Sequence, residues 1–559
     1  MKEIEFMKLL NRDLSKYTLR PEQSDAEEFI FNILNENSAT KYFLLDMPTG
    51  VGKSVLTLSF IQRYLKEINP DVKFDVITES KMLQNQYAME FDSISNLWGK
   101  NGYKCTQFDC SCEQGKDFAA AAKTECDACP YSSARTSFMH GTISLTNFHL
   151  FVLMHINGLL QERKDNKILI VDEAHELESV YSNFLTIEVN EKAINGYDLP
   201  NGKHVMNTLK KIKTPQDFYE YCEEYLLVVL ANRQAELNTE FKQIDGAAIT
   251  RQENADAITG NKSSLFIEAS RKVKKLESFI SKINYFMEEY DRDSGNWISQ
   301  IVYDEKKNAK LVVQPIWSNK YMAQHIFSKY DKVIMMSGTI LNKEMFSFLN
   351  GLNPNLVAYH RIDSPFEAKK RPIYYIPSGR MSMKTKEAAY KTYKPMIDKL
   401  LRKYPTKKGI IHTVTFELQN WVNENIKTDR LLLHTSDQSS KNFALKEHYT
   451  APKPTVLVSP SMHTGIDLKN SRARFQICLK VPYPYLGDLK NKKRMESNKD
   501  WYNWVTVSKI IQMYGRAVRS TDDFADFIII DACFTDILIR SEHLFPQWVL
   551  DAIKTVDNR

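Results

Sequence analysis

Residues Tyr42 to Ser54 read YFLLDMPTGVGKS, an apolar run that breaks into a glycine-bearing turn and closes on Gly-Lys-Ser. The residues that follow, KSVLTLSFIQRYLKEI, carry apolar side chains at helical spacing, so the stretch requires a strand, a tight loop and a helix in that order. Such a loop is a phosphate cradle. Gly50 and Gly52 let the backbone close on a triphosphate, Lys53 reaches the β and γ oxygens, and the Ser54 hydroxyl can ligate Mg²⁺, with Pro48, Thr49 and Val51 completing the turn. The helix N-terminus adds its N–H groups and its dipole. Met47 stands where the pattern GxxxxGK[ST] has glycine, and an ordinary strand-to-helix turn shares much of this composition, so the decision rests on the remainder of the chain.

The second half of such a site comes at Lys167, where KILIVDEAHELE runs an apolar strand into Asp172, Glu173, Ala174 and His175. Asp172 at the strand end can hold Mg²⁺ through water, and Glu173 can orient and deprotonate an attacking water. Ahead of the loop, TLRPEQSDAEEF places Arg20 and Gln23 at the head of a helix, and the Gln23 amide, donor and acceptor at once, is suited to an adenine edge. Between them KFDVIT predicts a second strand with Thr78, Glu79 and Ser80 on the ligand side of the sheet.

A further strand–helix series begins near Arg371: RPIYYI, KKGIIHT, RLLLHTS, PTVLVSPS, RARFQICL and ADFIIID, which predicts a second parallel α/β unit. Within it MHTGIDL sets Gly465 and Asp467 at a strand end, and SKIIQMYGRAVRS puts Gln512, Arg516 and Arg519 on one helical face. Arginines projected from a second unit onto a triphosphate held by the first would act as arginine fingers.

A chain of 559 residues exceeds one core and predicts several domains. The longest apolar run, LLVVLA, is far short of a membrane span, and MKEIEFMKLL lacks the order of a signal peptide, so no membrane partner is expected. A net charge of +6 permits nucleic-acid binding without requiring it; the clusters RKVKK and KNKKR are, singly, ordinary solvated faces. Five of the eight cysteines fall between Cys105 and Cys129, at Cys105, Cys110, Cys112, Cys126 and Cys129, with Cys222, Cys478 and Cys533 scattered through apolar surroundings. In a reducing compartment the five indicate a metal site, and four thiolates suit Zn²⁺ and a [4Fe–4S] cluster equally. Residues 188–296 turn polar with helical periodicity and a loop around Gln243 to Lys262, an inserted helical domain. The first sheet resumes with NWISQIVY, AKLVVQPIW and DKVIMMSGTI.

In chain order RPEQ, MPTGVGKS, VITES, the cysteine segment, TNFHLF, VDEAHELE, MMSGTI, SPFEAKKRPIYY, IIHTVTF, SPSMHTGIDL, VPYP and QMYGRAVR resemble the motif series of superfamily 2 helicases, and within them the XPD/DinG-like group, which often has methionine at the position of Met47. The resemblance implies an α/β fold of two RecA-like parallel-sheet motor domains with an inserted iron–sulfur domain and an inserted helical arch. It divides the chain into a first motor domain (1–98, 136–187 and 297–350), a cluster insertion (99–135), an arch (188–296) and a second motor domain (351–559). It implies an ATP-dependent DNA helicase moving 5′ to 3′ on single strands, with ATP, Mg²⁺ and a [4Fe–4S] cluster as cofactors. Carried over residue by residue, the cluster ligands are Cys105, Cys112, Cys126 and Cys129, with Cys110 able to replace Cys112. Single-stranded DNA and forked or 5′-tailed duplexes are the implied partners, bound by a monomer in the cytoplasm, the nucleus of a eukaryote or the host cytoplasm of a virus. No nuclease activity is expected. Phe148, Tyr103 and Tyr131 are candidate base-stacking residues, each with core or cluster support as the plainer role. A DEAH motor contacts mainly backbone, so an ATP-driven strand clamp or redox sensor and an RNA helicase share these motifs; the cysteine segment turns the reading to DNA through the resemblance.

Overall fold

The computed structural model describes residues 2–556 apart from 37, 122–125, 127, 161–162, 164–166, 200, 244–260, 304–306 and 463–465. Its strands in chain order are β1 (Tyr42–Asp46), β2 (Lys73–Thr78), β3 (Ser95–Asn96), β4 (Ile143–Asn147), β5 (Lys167–Asp172), β6 (Ile187–Asn190), β7 (Trp297–Tyr303), β8 (Ala309–Pro315), β9 (Lys332–Ser337) and β10 (Val357–Arg361). The second half adds β11 (Ile373–Gly379), β12 (Gly409–His412), β13 (Leu431–Leu432), β14 (Val456–Ser459), β15 (Phe475–Cys478), β16 (Asp526–Asp531) and β17 (Ile553–Thr555).

Two seven-stranded sheets result, ordered β10-β1-β9-β5-β2-β4-β3 and β13-β14-β12-β15-β16-β11-β17. Every pairing in both is parallel, with helices on the faces, as the strand–helix alternation predicts. Strands covered on both faces have no polar side to show, which is why FLLD, ILIVD and FIIID read as continuous apolar runs. Register sets the site: Asp46 lies beside Ser337, and Asp172 beside both Thr78 and Met336, so the loops after β1, β2, β5 and β9 leave one edge of the sheet together.

Two expectations are corrected. NWISQIVY and AKLVVQPIW do not continue the first sheet: β7 pairs antiparallel with β8, and β8 with β6, in a separate three-stranded sheet at the base of the helical insertion. An apolar run reports burial and not its partner. The boundary expected at 351 also falls too early, because β10 pairs with β1 inside the first sheet, held by an ion pair of Arg361 Nε to Asp46 Oδ2 at 3.0 Å. A half-buried edge strand reading VAYHR carries almost no pattern.

The insertion includes Glu191–Gly196, Gly202–Leu209, a run from Pro215 to Gln243 with a π-turn at Cys222–Leu226, and the long helix Asn261–Arg292. The loop expected around Gln243 to Lys262 falls largely outside the described residues. The long helix packs on the cysteine-bearing helix Cys112–Ala121 and, through Phe286, edge-on against Trp297 at 4.9 Å. Among the described residues no helix is long and apolar enough to cross a membrane.

Candidate functional site

The phosphate loop hangs between β1 and the helix Lys53–Glu67. Gly50 and Gly52 have φ of 87° and 90°, a region that strains any residue with a Cβ. Val51 is fully buried beneath the loop, and Pro48 is close-packed against Gly338 of the Ser-Gly-Thr turn. Lys53 Nζ meets Glu173 Oε1 at 2.7 Å and Asp172 Oδ1 at 3.9 Å. Burial raises the Asp172 carboxyl, against the pull of Lys53. Burial acts on Glu173 too, but Lys53 and His175 outweigh it and hold that carboxylate low. Glu173 sits at φ 58° with its N–H on Asp172 Oδ1 at 2.9 Å, a left-handed conformation costing about 1 kcal/mol or more that turns its side chain to Lys53.

One cavity of about 500 Å³ is lined by Thr49, Gly50, Gly52, Lys53, Ser54, Asp172 and Glu173 from the first unit and by Asp467, Arg516 and Arg519 from the second. Both arginines lean on the Ile466 carbonyl, Arg516 at 3.2 Å and Arg519 at 3.3 Å, and Arg519 Nε lies 3.4 Å from Asp467 Oδ1. Burial, then the neighbouring Arg519, brings Arg516 down to about 10. Thr49 Oγ1 donates across the cleft to the Gly515 carbonyl at 3.1 Å. Gln512 is buried outside the cavity, its amide 3.5 Å from Thr339 Oγ1, and His175 Nδ1 lies 2.7 Å from Ser337 Oγ. Gly465 lies outside the described residues.

Arg20 and Gln23 stand behind the phosphate loop. Neither is among the residues lining the cavity; the Gln23 amide accepts from Arg20 N at 2.8 Å and donates to the carbonyls of Val51 and Gly52 at 3.0 and 2.8 Å. In this arrangement the amide is turned to the loop.

Residue patterning missed Tyr87, whose hydroxyl donates to Asp172 Oδ2 at 3.2 Å from a fully buried position, and Asp46, which accepts from Ile340 N and Leu341 N at 3.2 and 3.1 Å. Glu79 lines the cavity, raised by burial and by Glu176 and Glu173. The KNKKR cluster also has another use: Arg494 ion-pairs with Glu178 at 2.6 Å, donates to the Ile316 carbonyl at 2.6 Å and stacks on Trp317 at 4.7 Å, while Lys490 donates to Ser182. Glu178 and Ser182 lie on the helix Leu177–Leu185 that follows the DEAH segment, so a helix of the second unit grips it. Arg494→Ala takes the guanidinium from a half-buried Glu178, which keeps the Ser318 hydroxyl at 2.6 Å, an expected loss of about 1 to 3 kcal/mol read as a lower urea midpoint of the full chain.

The cysteine segment folds as a tight hairpin, Lys104 bridging Ser111 and Cys105 N donating to Cys110 O at 2.9 Å, followed by helices headed by Cys112 and by Pro130 after Cys129. Cys105, Cys112, Cys126 and Cys129 line one small cavity, with Cys112 Sγ 3.5 Å from Cys129 Sγ. Cys110 is absent from that lining and lies beside Cys105. A Cβ on Gly115 would come within 2.5 Å of Cys105 Sγ, so the glycine makes room for the thiol. Burial, then Cys129, pushes the Cys112 thiol up to about 12. Four thiols around one cavity are a fitting donor set for a tetrahedral metal or a cubane cluster, although among the described residues no three His, Cys, Asp or Glu side chains close on a single ion. Tyr103 and Tyr131 pack edge to face at 5.7 Å beside these cysteines, and Phe148 is fully buried in the core.

Two family models match the chain, the helicase C-terminal domain over residues 410–551 and the type III restriction enzyme res subunit over residues 16–195. The ATP-dependent DNA helicase CHL1 of Vanderwaltozyma polyspora is 21% identical, over 77% of this chain and 59% of its own, so the chain spans about three fifths of that relative. A probable ATP-dependent helicase of Methanocaldococcus jannaschii is 21% identical over 73% of this chain and 71% of its own, and the 3'-5' exonuclease DinG of Bacillus subtilis 21% over 47% and 30%. Among solved structures, an XPD helicase superposes with a TM-score of 0.64 at 14% identity, covering 97% of this chain and 100% of that one, and Xpd4 of S. tokodaii with 0.56 at 12%, covering 96% and 100%. At such identities the superpositions speak for the fold: two RecA-like motor domains with inserted domains.

Proposed function

Because the chain belongs to the XPD/DinG-like group of superfamily 2 helicases, we propose that it couples ATP hydrolysis to 5′-to-3′ movement along single-stranded DNA and opens the duplex ahead. The observation that carries this reading is the single cavity in which Lys53, Ser54, Asp172 and Glu173 face Arg516 and Arg519. A triphosphate there meets the loop N–H groups and Lys53 on one side and two guanidiniums on the other; Ser54 and Asp172 hold Mg²⁺, and Glu173 takes the proton of the attacking water. Release of the cleaved phosphate removes the charge that draws the arginines inward. The gap between the units then widens, and the Glu173–His175–Ser337 contacts and Gln512 on Thr339 carry the change to the strand-binding face.

In this reading Cys105, Cys112, Cys126 and Cys129 would hold a [4Fe–4S] cluster, which would tie the hairpin to the two helices, with residues 188–296 as the arch beside it. Cys126→Ser is expected to lose its colour and its unwinding and to keep a fraction of its ATPase; iron and sulfide assays of anaerobically purified protein check it, and zinc in place of iron overturns it. The activity is tested by unwinding of a 5′-tailed DNA duplex with and without ATP, beside a 3′-tailed one and an RNA duplex. Opening of only the 5′-tailed DNA supports the proposal; ATP turnover with every duplex intact favours a strand clamp.

A further inference from the structure

Five cysteines share the segment from Cys105 to Cys129, four of them line the small cavity, and Cys110 is the one left over. Its place is set by the hairpin. Lys104 pairs antiparallel with Ser111, which makes Cys105 and Cys110 the next cross-strand pair, and the Cys105 N–H on the Cys110 carbonyl at 2.9 Å holds that register. Side chains of such a pair project from one face of the ribbon, with Cα atoms about 5.5 Å apart. A disulfide spans Cα separations of about 4.4 to 6.8 Å, so the backbone already has the spacing a bridge needs.

The side chains agree with the backbone. The Cys110 thiol is in hydrogen-bonding contact with Cys105, and both pack on Phe108 and Ala119. A Cβ placed on Gly115 would stand 2.5 Å from Cys105 Sγ and 3.7 Å from Cys110 Sγ, so one glycine on the helix Cys112–Ala121 leaves room for both sulfurs. Cys105 therefore belongs to two sets at once, the four-thiol cavity and the hairpin pair. Access separates this pair from the other close one: Cys105 and Cys110 are partly exposed, whereas Cys112, 3.5 Å from Cys129, is only 5% exposed. Exchange with a disulfide reagent requires a sulfur the reagent can reach.

We propose that Cys105 and Cys110 are a thiol–disulfide modification site, which a small disulfide such as oxidised glutathione closes into a bridge that takes Cys105 out of the four-thiol cavity. One cysteine, as thiolate, attacks a sulfur of the reagent and expels a glutathione thiolate; the second attacks the mixed disulfide and expels another. Two protons and two electrons leave the hairpin, and the reagent becomes two molecules of glutathione. A sulfur so bonded has no thiolate to offer a metal, so bridge and metal exclude one another. With four residues between the cysteines, the bridge closes a short loop and adds less stability than a long-range one would, which keeps it open to reduction. The bridge follows from the hairpin alone; its effect on metal rests on the reading of the cavity as a metal site.

The test takes the full chain, stripped of metal by a chelator and exposed to oxidised glutathione, and maps it by tandem mass spectrometry. Trypsin frees the peptide Cys105–Lys116, and a further cut before Asp109 parts Cys105 from Cys110, so a bridge shows as two fragments still joined. The expected result is a junction at Cys110, with both thiols lost together from alkylation, Zn²⁺ uptake lost with them, and all of these restored by dithiothreitol. Cys110→Ser is expected to stop at glutathione on Cys105 and, when reduced, to take up as much Zn²⁺ as the parent at an unchanged melting temperature. Cys105 joined to any other cysteine, or both thiols still open to alkylation, overturns the proposal; so does a reduced, folded Cys110→Ser chain with lowered Zn²⁺ uptake, which would make Cys110 a metal ligand. A parent chain that forms the bridge yet takes up neither Zn²⁺ nor iron leaves the modification site standing and removes the metal reading.

Discussion

Glu173→Gln is expected to hydrolyse ATP about a hundred to ten thousand times more slowly than the parent chain while still binding it, the range set by loss of a positioned general base. The substitution keeps the volume but turns one acceptor oxygen into a donor and removes the site that accepts the water's proton. The neighbourhood explains why Glu173 and not Asp172 has this part. Asp172 is fastened by Tyr87 and by the N–H of Glu173, a fixed post suited to a cation, whereas Glu173 reaches into the cavity from a strained backbone. Single-turnover release of phosphate measures the chemical step, and calorimetry the binding. Undiminished turnover would assign the proton transfer to another group, and Glu79, on the same wall, is the first to examine.

Arg516→Ala is expected to lower kcat by about a thousandfold or more, the scale of a lost arginine finger, with a much smaller change in KM. Charge on the γ-phosphate spreads in the transition state, and a guanidinium placed for that moment acts on rate more than on affinity. Arg516→Lys is expected to recover little, since a point charge does not reproduce the planar fork. Arg519→Ala is expected to be milder in rate and to loosen Asp467, the carboxylate 3.4 Å from its Nε. Equal losses in KM and kcat/KM for Arg516→Ala, with kcat preserved, would make it a binding residue only.

The parallel strands that carry the motifs were legible because burial on both faces leaves continuous apolar runs, and because each ends in residues a nucleotide site requires. What escaped notice follows from the same physics. The edge strands β3, β10 and β17 are short or half polar, and the register that puts β10 beside β1 is a long-range pairing with no local mark. β7 and β8 were recognisable as strands but not as members of a different sheet. Gln23 could be named from its place at a helix head, but the direction of its amide depends on the phosphate loop packed above it. Tyr87 had no signal at all, being one aromatic on an unremarkable amphipathic helix.

The ion pair of Arg494 with Glu178 gives the DEAH segment the layout of a lever. Its front end, at Glu173, faces the arginines across the cavity; its tail, the helix Leu177–Leu185, is seized by a separate helix of the same second unit. In the proposed cycle a second unit that draws back from the cavity would carry Arg494 with it and pull on Glu178, and the next element along the chain after that helix is β6, the foot of the helical insertion.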